Sequence, residues 1–389
     1  MIKKVYVATN IRGFLVDLMK ASNKKTHFIW QQSRVYEYNS RLKLVLAKLV
    51  KSRLGDYLGI IQRIVVNDNN HDAAFSYNRF LKSKKPYVIY LENPPALYHY
   101  CLRRNKTFIG KRKVQKYLND PKLYAIVCMS KACEATLHKF YTIPDTLKVL
   151  QIYPLVATNQ YTTVQTIERK STRDYIECLY VSSDFNLKGG KEIIECFERL
   201  RARGITNVHL TIITKINKIE KELMLRLQKM DNVNVLEFNL TKDELFKVYA
   251  SSNILLHPTR QDSFPLVVLE AAKAGNVIVA SDLYGIPEIV KDGYNGFLLS
   301  PIYRFFNNKN MPNEKVWNNR KETIYSDYVD RAVVDRLELI LVELLDDRKK
   351  LKKMALNSFE HSRSNELNES FIIERWNELF EEIGIEEGE

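Results

Sequence analysis

The stretch Asp262-Ser-Phe-Pro-Leu-Val-Val-Leu-Glu270 decides how this 389-residue chain is interpreted. An apolar run, residues 253–258, precedes it and predicts a buried strand, because the run is too short for a helix and ends at a proline. A second apolar run, residues 277–280, follows it and predicts another buried strand. Between the two strands, residues 263–275 have the composition of a helix. The segment therefore predicts a strand, a loop, a helix and a strand, which is the repeat of a parallel sheet.

This helix is predicted to have Ser263 as its N-cap and Pro265 in its first turn, and to end at Gly275. Its N-terminus offers backbone N–H groups and the positive end of the helix dipole, which suit a phosphate. Asp262 and Glu270 flank this anion site. Because a phosphate repels carboxylates, these two acids are better suited to accept hydrogen bonds from hydroxyl groups. The segment therefore favours a ligand that has both a diphosphate and sugars, which is a nucleotide-sugar.

Both halves of the chain alternate between short apolar runs and helical segments. This alternation predicts an α/β protein whose parallel sheets have helices on both faces. Residues 156–173, rich in Thr and Gln and without a core pattern, are interpreted as a linker. It would join an N-terminal domain over residues 1–155 to a C-terminal domain over residues 174–365. Two such domains are expected to bind ligands in a cleft at the carboxyl ends of their strands.

The pattern around Asp262 and Glu270 continues with Gly275, Ser281-Asp282, Gly285-Ile-Pro-Glu288, Asp292-Gly and Asn295-Gly-Phe-Leu. Over residues 253–299 it resembles the donor site of retaining glycosyltransferases of family 4. These belong to a superfamily with glycogen synthases and phosphatidylinositol mannosyltransferases. The resemblance implies the GT-B fold, with two Rossmann-like, doubly wound domains facing across a cleft. It also implies that the N-terminal domain binds the acceptor and is joined by the C-terminal helix, about residues 366–389, whereas the C-terminal domain binds the nucleotide-sugar.

The resemblance assigns roles to individual residues of the donor site. Lys188-Gly189 matches a Lys-Gly pair that neutralises the donor diphosphate, whereas Ser183 stands where the family usually has Arg. Glu270 would accept hydrogen bonds from the ribose hydroxyls. Asp262 replaces a Glu that contacts the transferred sugar, and Pro265 replaces a Gly whose N–H would be a donor. The remaining predicted nucleotide-sugar contacts are Ser263, Phe264, Leu266, Thr214 and Glu288, the last of which could instead order the loop below the site.

Two positions in the N-terminal half are candidates for the acceptor side. Gly13 is the single glycine in a loop after the first predicted strand, where the family has a glycine-rich loop. Glu92 follows a predicted strand, residues 87–91, at a point where the family often has a histidine. Glu92 could orient an acceptor hydroxyl, act as a base or be a simple turn residue. With Asp262 and Lys188, it completes the set of predicted catalytic residues.

The predicted activity is a retaining, metal-independent hexosyltransferase that uses a UDP- or GDP-sugar and an acceptor hydroxyl. The sequence has no Asp-x-Asp pair for a metal-bound diphosphate, and no G-x-G-x-x-G or P-loop pattern, so neither a metal nor a cofactor is expected. Two alternatives stay open. One is a nucleotide-sugar epimerase or a polymerase on the same fold, and the other is a non-catalytic member that binds a sugar or nucleic acid.

The charge of the chain is distributed unevenly. Residues 1–150 hold 28 Lys and Arg against 9 Asp and Glu, whereas the rest hold 32 against 37. The basic excess favours a lipid-linked or other anionic acceptor. Its densest part, residues 103–117, is interleaved with Phe108, Ile109, Val114 and Tyr117. This pattern fits an anionic membrane surface or a solvated basic face, and nucleic acid less well.

The cellular location is predicted from three absences. There is no apolar run of 18 residues, no signal-peptide pattern and no paired cysteine spacing among the five cysteines. We therefore expect reduced thiols and a cytoplasmic protein, peripheral on the cytoplasmic membrane face if the basic segment binds lipid.

Overall fold

The computed structural model describes residues 2–10, 13–21, 25–30, 48, 50, 52–67 and 70–383. The chain forms two compact units, each built on a parallel sheet. Unit 1 consists of Met1–Val156 and Asn365–Glu389, and unit 2 consists of Ala157–Ser364. The predicted α/β class is confirmed in both.

Unit 1 has a six-stranded parallel sheet in the order β2-β1-β4-β6-β7-β8 and a two-stranded parallel sheet of β3 and β5. Its strands are β1 (Lys3–Val7), β2 (Thr26–Ile29), β3 (Ile64–Val65), β4 (Ala73–Tyr77), β5 (Leu81–Lys82), β6 (Tyr87–Leu91), β7 (Leu123–Cys128) and β8 (Lys148–Gln151). Every residue of β4 and β6 is buried, as expected for central strands covered on both faces.

The helices of the amino-terminal part are α1 (Gly13–Lys20), α2 (Arg53–Tyr57), α3 (Phe108–Leu118) and α4 (Lys131–Phe140). Ser130 caps α4, and its Oγ accepts from the Cys133 N–H at 3.0 Å.

Unit 2 has a six-stranded parallel sheet in the order β11-β10-β9-β12-β13-β14. Its strands are β9 (Ile176–Ser182), β10 (Val208–Thr214), β11 (Val233–Glu237), β12 (Ile254–His257), β13 (Val277–Ser281) and β14 (Gly296–Leu299). Numbered along the chain, this is the 3-2-1-4-5-6 order of a Rossmann domain. The winding direction therefore reverses between β9 and β12.

The helices of unit 2 are α5 (Val164–Ser171), α6 (Gly190–Ala202), α7 (Lys221–Gln228), α8 (Lys242–Ser251), α9 (Leu266–Lys273), α10 (Ile286–Ile289), α11 (Glu314–Asn318), α12 (Arg320–Thr323), α13 (Arg331–Asp346) and α14 (Arg348–His361). Thr241 and Glu244 form a capping box that fixes the start of α8.

Helix α5 lies within residues 156–173, where the sequence predicts a linker, and it packs into unit 2. Ile167 is buried in the core, and a Cβ on Gly275 would come within 2.4 Å of its Cδ1 atom. The Lys170 ammonium donates to the Ala274 carbonyl at 2.8 Å and to Asn276 Oδ1 at 2.7 Å. The segment is thus a structural part of unit 2 rather than a connector.

The last helix, α15 (Glu369–Glu382), belongs to unit 1. The centroid of the Trp376 ring lies 5.7 Å from that of Phe75 and 5.1 Å from that of Tyr90. Phe380 packs edge-on against Phe28 at 5.7 Å. The carboxyl-terminal segment therefore completes the core of the unit that the amino-terminal segment begins.

Within the described residues, no helix is both long and apolar enough to cross a membrane. All five cysteines are free thiols, four of them buried, and Cys133 is held against the Leu91 carbonyl.

Candidate active site

The loops that follow β9 and β12 meet at the point where the unit 2 sheet reverses its winding. The Arg260 N–H donates to the Leu187 carbonyl at 2.9 Å. Gly189 has a φ of +74°, and a Cβ there would lie 2.4 Å from the Pro258 carbonyl oxygen. Only glycine fits this approach, so the loop that carries Lys188 lies directly against the loop that carries Asp262. In open parallel sheets this is the position where ligands bind.

Lys188 and Asp262 form an ion pair at this point. The Lys188 Nζ atom lies 2.7 Å from Asp262 Oδ2 and donates to the Gln261 carbonyl at 2.6 Å. His257, the last residue of β12, places its Nε2 atom 2.8 Å from the same Oδ2. The Lys188 and Asp262 side chains remain 17% and 18% exposed. The cluster can therefore still meet a ligand.

Opposing effects set the charges of this cluster. Burial by itself would raise the pKa of Asp262, but the Lys188 ammonium and the hydrogen bond with His257 outweigh it and hold that pKa well below its usual range. Burial lowers the pKa of His257, although Asp262 opposes this shift. At neutral pH the site therefore holds an ionised carboxylate and a neutral imidazole that donates from Nε2.

The N-terminus of α9 lies immediately after this cluster, but its cap differs from the prediction. The helix begins at Leu266 with Pro265 at the N-cap position, and no side chain caps it. The Ser263 N-cap prediction is therefore wrong. Instead, the Ser263 carbonyl accepts from the Gly285 N–H at 3.1 Å. The proline removes one donor, and the Val268 N–H already donates to the Pro265 carbonyl at 3.2 Å. The N–H groups of Leu266 and Val267, which begin the helix, have no acceptor within it.

Glu270 lies one turn further along α9 and is half-buried. The Tyr249 hydroxyl, from α8, donates to Glu270 Oε2 at 2.9 Å. Burial and the neighbouring Glu270 carboxylate raise the pKa of Tyr249 well above its usual value, so Tyr249 remains a donor. This contact orients the carboxylate.

The other predicted nucleotide-sugar residues lie at or near the same sheet edge. Ser183 directly follows β9 and is exposed. Thr214 ends β10, and its buried Oγ1 atom has no hydrogen-bond partner. Glu288 lies in α10, whose N-cap is Gly285. The Gly285 N–H donates to the Ser263 carbonyl. Phe264 and Pro265 are buried, so any contact from them would come from the backbone.

The two acceptor-side candidates belong to unit 1. Glu92 follows β6 at the carboxyl edge of the sheet, where it accepts from the Tyr77 hydroxyl. Its backbone N–H donates to Asn78 Oδ1 at 2.9 Å. Gly13 begins α1, and among the described residues a Cβ there would meet no atom within 4 Å.

Sequence reasoning missed His257 and Tyr249 as partners of the two key carboxylates. His257 offered a signal, because it is a polar residue at the carboxyl end of an otherwise apolar strand. Tyr249 offered none, since it lies 21 residues before Glu270 on a different helix.

A separate groove of about 540 Å³ lies elsewhere on unit 2. Its lining includes Glu177, His209 and Asn234, which are each the second residue of their strand. The groove therefore lies at the amino-terminal edge of the sheet, opposite the Lys188–Asp262 pair.

Comparison with known proteins gives these elements a context. Residues 164–302 match the family model described as Glycosyl transferases group 1. The chain is 37% identical over 59 residues to a D-inositol 3-phosphate glycosyltransferase of Streptomyces bingchenggensis, which is 15% of this chain and 13% of that protein. It is 27% identical over 179 residues to the MMP alpha-(1->4)-mannosyltransferase of Mycolicibacterium hassiacum, which is 45% of this chain and 36% of that protein.

The fold of this chain matches solved structures over a longer span than its sequence matches the curated relatives. The structure of Anabaena HepE in complex with UDP and glucose matches with a TM-score of 0.63 at 15% identity, covering 98% of this chain and 100% of that one. The sequence matches, by contrast, cover only a minor part of the curated relatives. This chain thus has the GT-B fold of glycosyltransferases, and its second unit contains the segment that defines the Glycosyl transferases group 1 model.

Proposed function

We propose that this protein is a retaining, metal-independent glycosyltransferase that moves a hexose from a nucleotide diphosphate to an acceptor hydroxyl. The observation that carries the proposal is the Lys188–Asp262 pair, held by His257 at the sheet reversal of unit 2. A cation, a carboxylate that is ionised at neutral pH and a helix N-terminus converge there. The UDP and UDP-glucose bound to HepE support a nucleotide-sugar as the ligand.

Lys188 is the group that we assign to the diphosphate. Two of its three N–H donors are used by Gln261 and Asp262, which leaves one for a phosphate oxygen. The first turn of α9 provides further N–H groups. As the bond between the sugar carbon and the diphosphate oxygen breaks, its electron pair stays on the diphosphate. A fixed cation stabilises this developing charge more than it stabilises the bound donor.

The two carboxylates are assigned to hydroxyl groups of the donor. Asp262 Oδ2 is occupied by Lys188 and His257, so Oδ1 is the oxygen that would accept from the transferred sugar. Glu270, oriented by Tyr249, would accept from the ribose. The acceptor oxygen forms the new bond on the same face of the sugar, and its proton passes to the departing phosphate oxygen.

The acceptor is assigned to unit 1, through Glu92 and its neighbours at the carboxyl edge of that sheet. The positive charge of residues 1–150 favours an anionic acceptor, such as a lipid-linked phosphate. The phosphorylated acceptor in the name of the D-inositol 3-phosphate glycosyltransferase is consistent with this choice.

The first test is turnover of a panel of UDP- and GDP-sugars by the wild type and by Lys188→Ala. Because Lys188 acts mainly as the diphosphate leaves, we expect kcat to fall roughly a hundredfold, with a much smaller loss of nucleotide affinity. Lys349→Ala, an exposed lysine on α14, is the matched control and should change neither quantity.

Three outcomes would contradict the proposal. A rise in KM without a fall in kcat would make Lys188 a uniform binder of the donor. A product of inverted anomeric configuration, measured by proton NMR, would exclude retention. Nucleotide binding without hydrolysis or transfer for any donor would favour a non-catalytic member of the fold.

A further inference from the structure

Several exposed apolar side chains lie on two neighbouring helices of unit 1 that carry none of the residues assigned to the donor. Leu54, Tyr57 and Leu58 are exposed on α2 and its C-cap, and Tyr57 is 71% exposed. Their spacing of three and four residues places them on one face of the helical turn. The opposite side of α2 is packed inward at Gly55.

The first turn of α3 extends this surface. Phe108 is 77% exposed, and Ile109 beside it is also exposed. A Cβ on Gly59 would lie 2.9 Å from the Gly110 backbone nitrogen and 3.0 Å from Ile109 Cγ2. The end of α2 therefore directly touches the start of α3, and the two sets of apolar side chains adjoin.

Two polar contacts fix the helices in this arrangement. The buried Arg104 guanidinium pairs with Asp56 at 3.1 Å. The Thr107 hydroxyl donates to the Asp56 carbonyl at 3.3 Å. Arg104 is thus a structural residue, which corrects its inclusion in the basic surface predicted for residues 103–117.

Val114 and Tyr117, two of the four apolar residues interleaved in residues 103–117, also do not belong to the predicted surface. Val114 is fully buried, and the Tyr117 ring packs 5.3 Å from the Phe80 ring. Only Phe108 and Ile109 of the predicted segment face outward, and α2 provides the rest of the apolar surface.

Basic side chains surround these apolar residues. Arg112 lies one turn after Phe108, with its guanidinium 5.9 Å from the Phe108 ring centroid. The other exposed basic residues on α2, α3 and the turn before α3 are Arg53, Arg103, Lys106, Lys111 and Lys116. We call the apolar residues 54, 57, 58, 108 and 109, together with Arg112 and these five basic residues, the docking face.

We infer that the docking face binds an anionic membrane surface, with its apolar side chains inserted at the boundary between headgroups and acyl chains. An aromatic and aliphatic centre with Arg and Lys around it is the composition of an interfacial membrane segment. Single exposed apolar residues are ordinary on soluble proteins, but five adjoining ones are not. Nucleic acid would use the cations and leave the aliphatic side chains exposed to water.

This inference rests on surface residues that are not assigned to the donor site, so it can fail or hold independently of the proposed reaction. The readout is cosedimentation of the full chain with vesicles of phosphatidylcholine alone or with phosphatidylserine added. We expect binding to the anionic vesicles and little to the neutral ones, with release as salt screens the charges.

Two double variants separate the charged and apolar contributions. Lys111→Gln with Arg112→Gln should reduce partitioning about thirtyfold, from ~1 kcal/mol per charge at 1.4 kcal/mol per factor of ten. Tyr57→Ser with Phe108→Ser should reduce it on the order of tenfold while leaving net charge unchanged. The matched controls are Lys349→Gln with Lys353→Gln, and Leu225→Ser with Leu339→Ser, all exposed positions of unit 2.

Insertion is tested directly by Phe108→Trp. On anionic vesicles its fluorescence should shift to the blue and be quenched by brominated acyl chains, whereas Leu339→Trp should do neither. Each variant's nucleotide affinity, measured by calorimetry, checks that unit 2 is intact.

Several results would overturn the inference. Binding that is equal on neutral and anionic vesicles, or absent from both, would remove the anionic membrane as partner. Loss of binding in the charge variant but not in the apolar variant, together with tight binding to single-stranded RNA, would assign the face to nucleic acid. Concentration-dependent dimers that the Tyr57→Ser and Phe108→Ser variant abolishes would assign it to a second copy of the chain.

Discussion

Asp262 is held by two partners of different kinds, the Lys188 cation and the neutral His257 imidazole. Without them, a carboxylate in this partly buried position would tend to take up a proton, because burial raises its pKa. With them it stays ionised and fixed in orientation.

Replacement of Asp262 by Asn should therefore destabilise the protein in a pH-dependent way. The folded-state pKa of Asp262 lies below its ordinary value of 3.8, so its stabilising contribution is complete above that pH and is lost as the pH falls below it. We expect Asp262→Asn to lower the free energy of unfolding on the order of 2 kcal/mol at pH 7. The difference should shrink towards pH 3 in urea titrations. A difference that is constant with pH would show that the ion pair is not its cause.

Replacement of Glu270 by Gln should weaken donor binding. A charged acceptor for ribose hydroxyls becomes a neutral one, which costs about 1.5–3 kcal/mol. Tyr249→Phe should cost less, since it removes only the group that orients the carboxylate. Calorimetry with UDP and GDP measures both effects, and Glu360→Gln on α14 is the control. Nucleotide affinity that Glu270→Gln leaves unchanged would reject the ribose role.

The motif identified Lys188, Asp262 and Glu270 because their order and spacing are local properties of the chain. The contact between Lys188 and Asp262 was not foreseen, since it spans 74 positions and depends on the approach of Gly189 to Pro258. The Tyr249–Glu270 contact was not foreseen either, because it joins two helices and spans 21 positions. Sequence patterns thus located the charged groups, whereas their pairing depends on the topology of the sheet.

At the level of elements, β12, α9 and β13 were predicted from the sequence, and α5 was not. Its sequence, VQTIERKS, has two apolar residues in eight, and its capping box pairs Thr163 with Thr166 rather than with Glu or Gln. Its helix is stabilised by burial of Ile167 and by the Lys170 contacts with the end of α9. Such tertiary support leaves no periodic pattern to detect.

The start of α9 shows a second limit of structure prediction from the sequence. Ser263 has the residue type of an N-cap, but its backbone is used by the Gly285 loop, and the helix begins after the proline. Here a long-range backbone hydrogen bond overrides a local preference.

Helix α15 gives an element-scale prediction for unit 1. Trp376→Ala should lower the free energy of unfolding by about 3–5 kcal/mol, because it removes ring contacts with Phe75, Tyr90 and Phe380. Phe371→Ala, which is exposed on the same helix, should have little effect. Denaturant unfolding monitors both, and UDP affinity should survive because unit 2 does not include α15. If both variants lowered the free energy of unfolding equally, the core contacts of Trp376 would not be the cause.

At the scale of the whole molecule, the basic excess is concentrated in residues 1–150, which hold 28 Lys and Arg against 9 Asp and Glu. Unit 2, residues 157–364, is nearly balanced, with 31 Lys and Arg against 28 Asp and Glu. The donor site in unit 2 must therefore neutralise a diphosphate with local groups rather than with a large excess of positive charge. Lys188 and the start of α9 are the ones that we assign to that task.

This assignment predicts that the reaction proceeds without an added divalent ion. Incubation with EDTA should leave the transfer rate within about twofold of the untreated protein, because protein cations and N–H dipoles replace a metal at the leaving group. The measurement is initial rate with a nucleotide-sugar that the panel identifies as a donor. Activity that EDTA removes and Mn²⁺ restores would show a metal-dependent enzyme.

The position of α15 in the chain affects the order in which the protein can mature on the ribosome. Residues 157–364 form a continuous unit that can close its core as soon as they have emerged. The sheet of unit 1 is synthesised first, yet the side chains that cover Phe75 and Tyr90 arrive with the last helix. The synthesis of unit 1 therefore begins before that of unit 2 and is completed after it, and during translation its aromatic surface stays uncovered until α15 emerges.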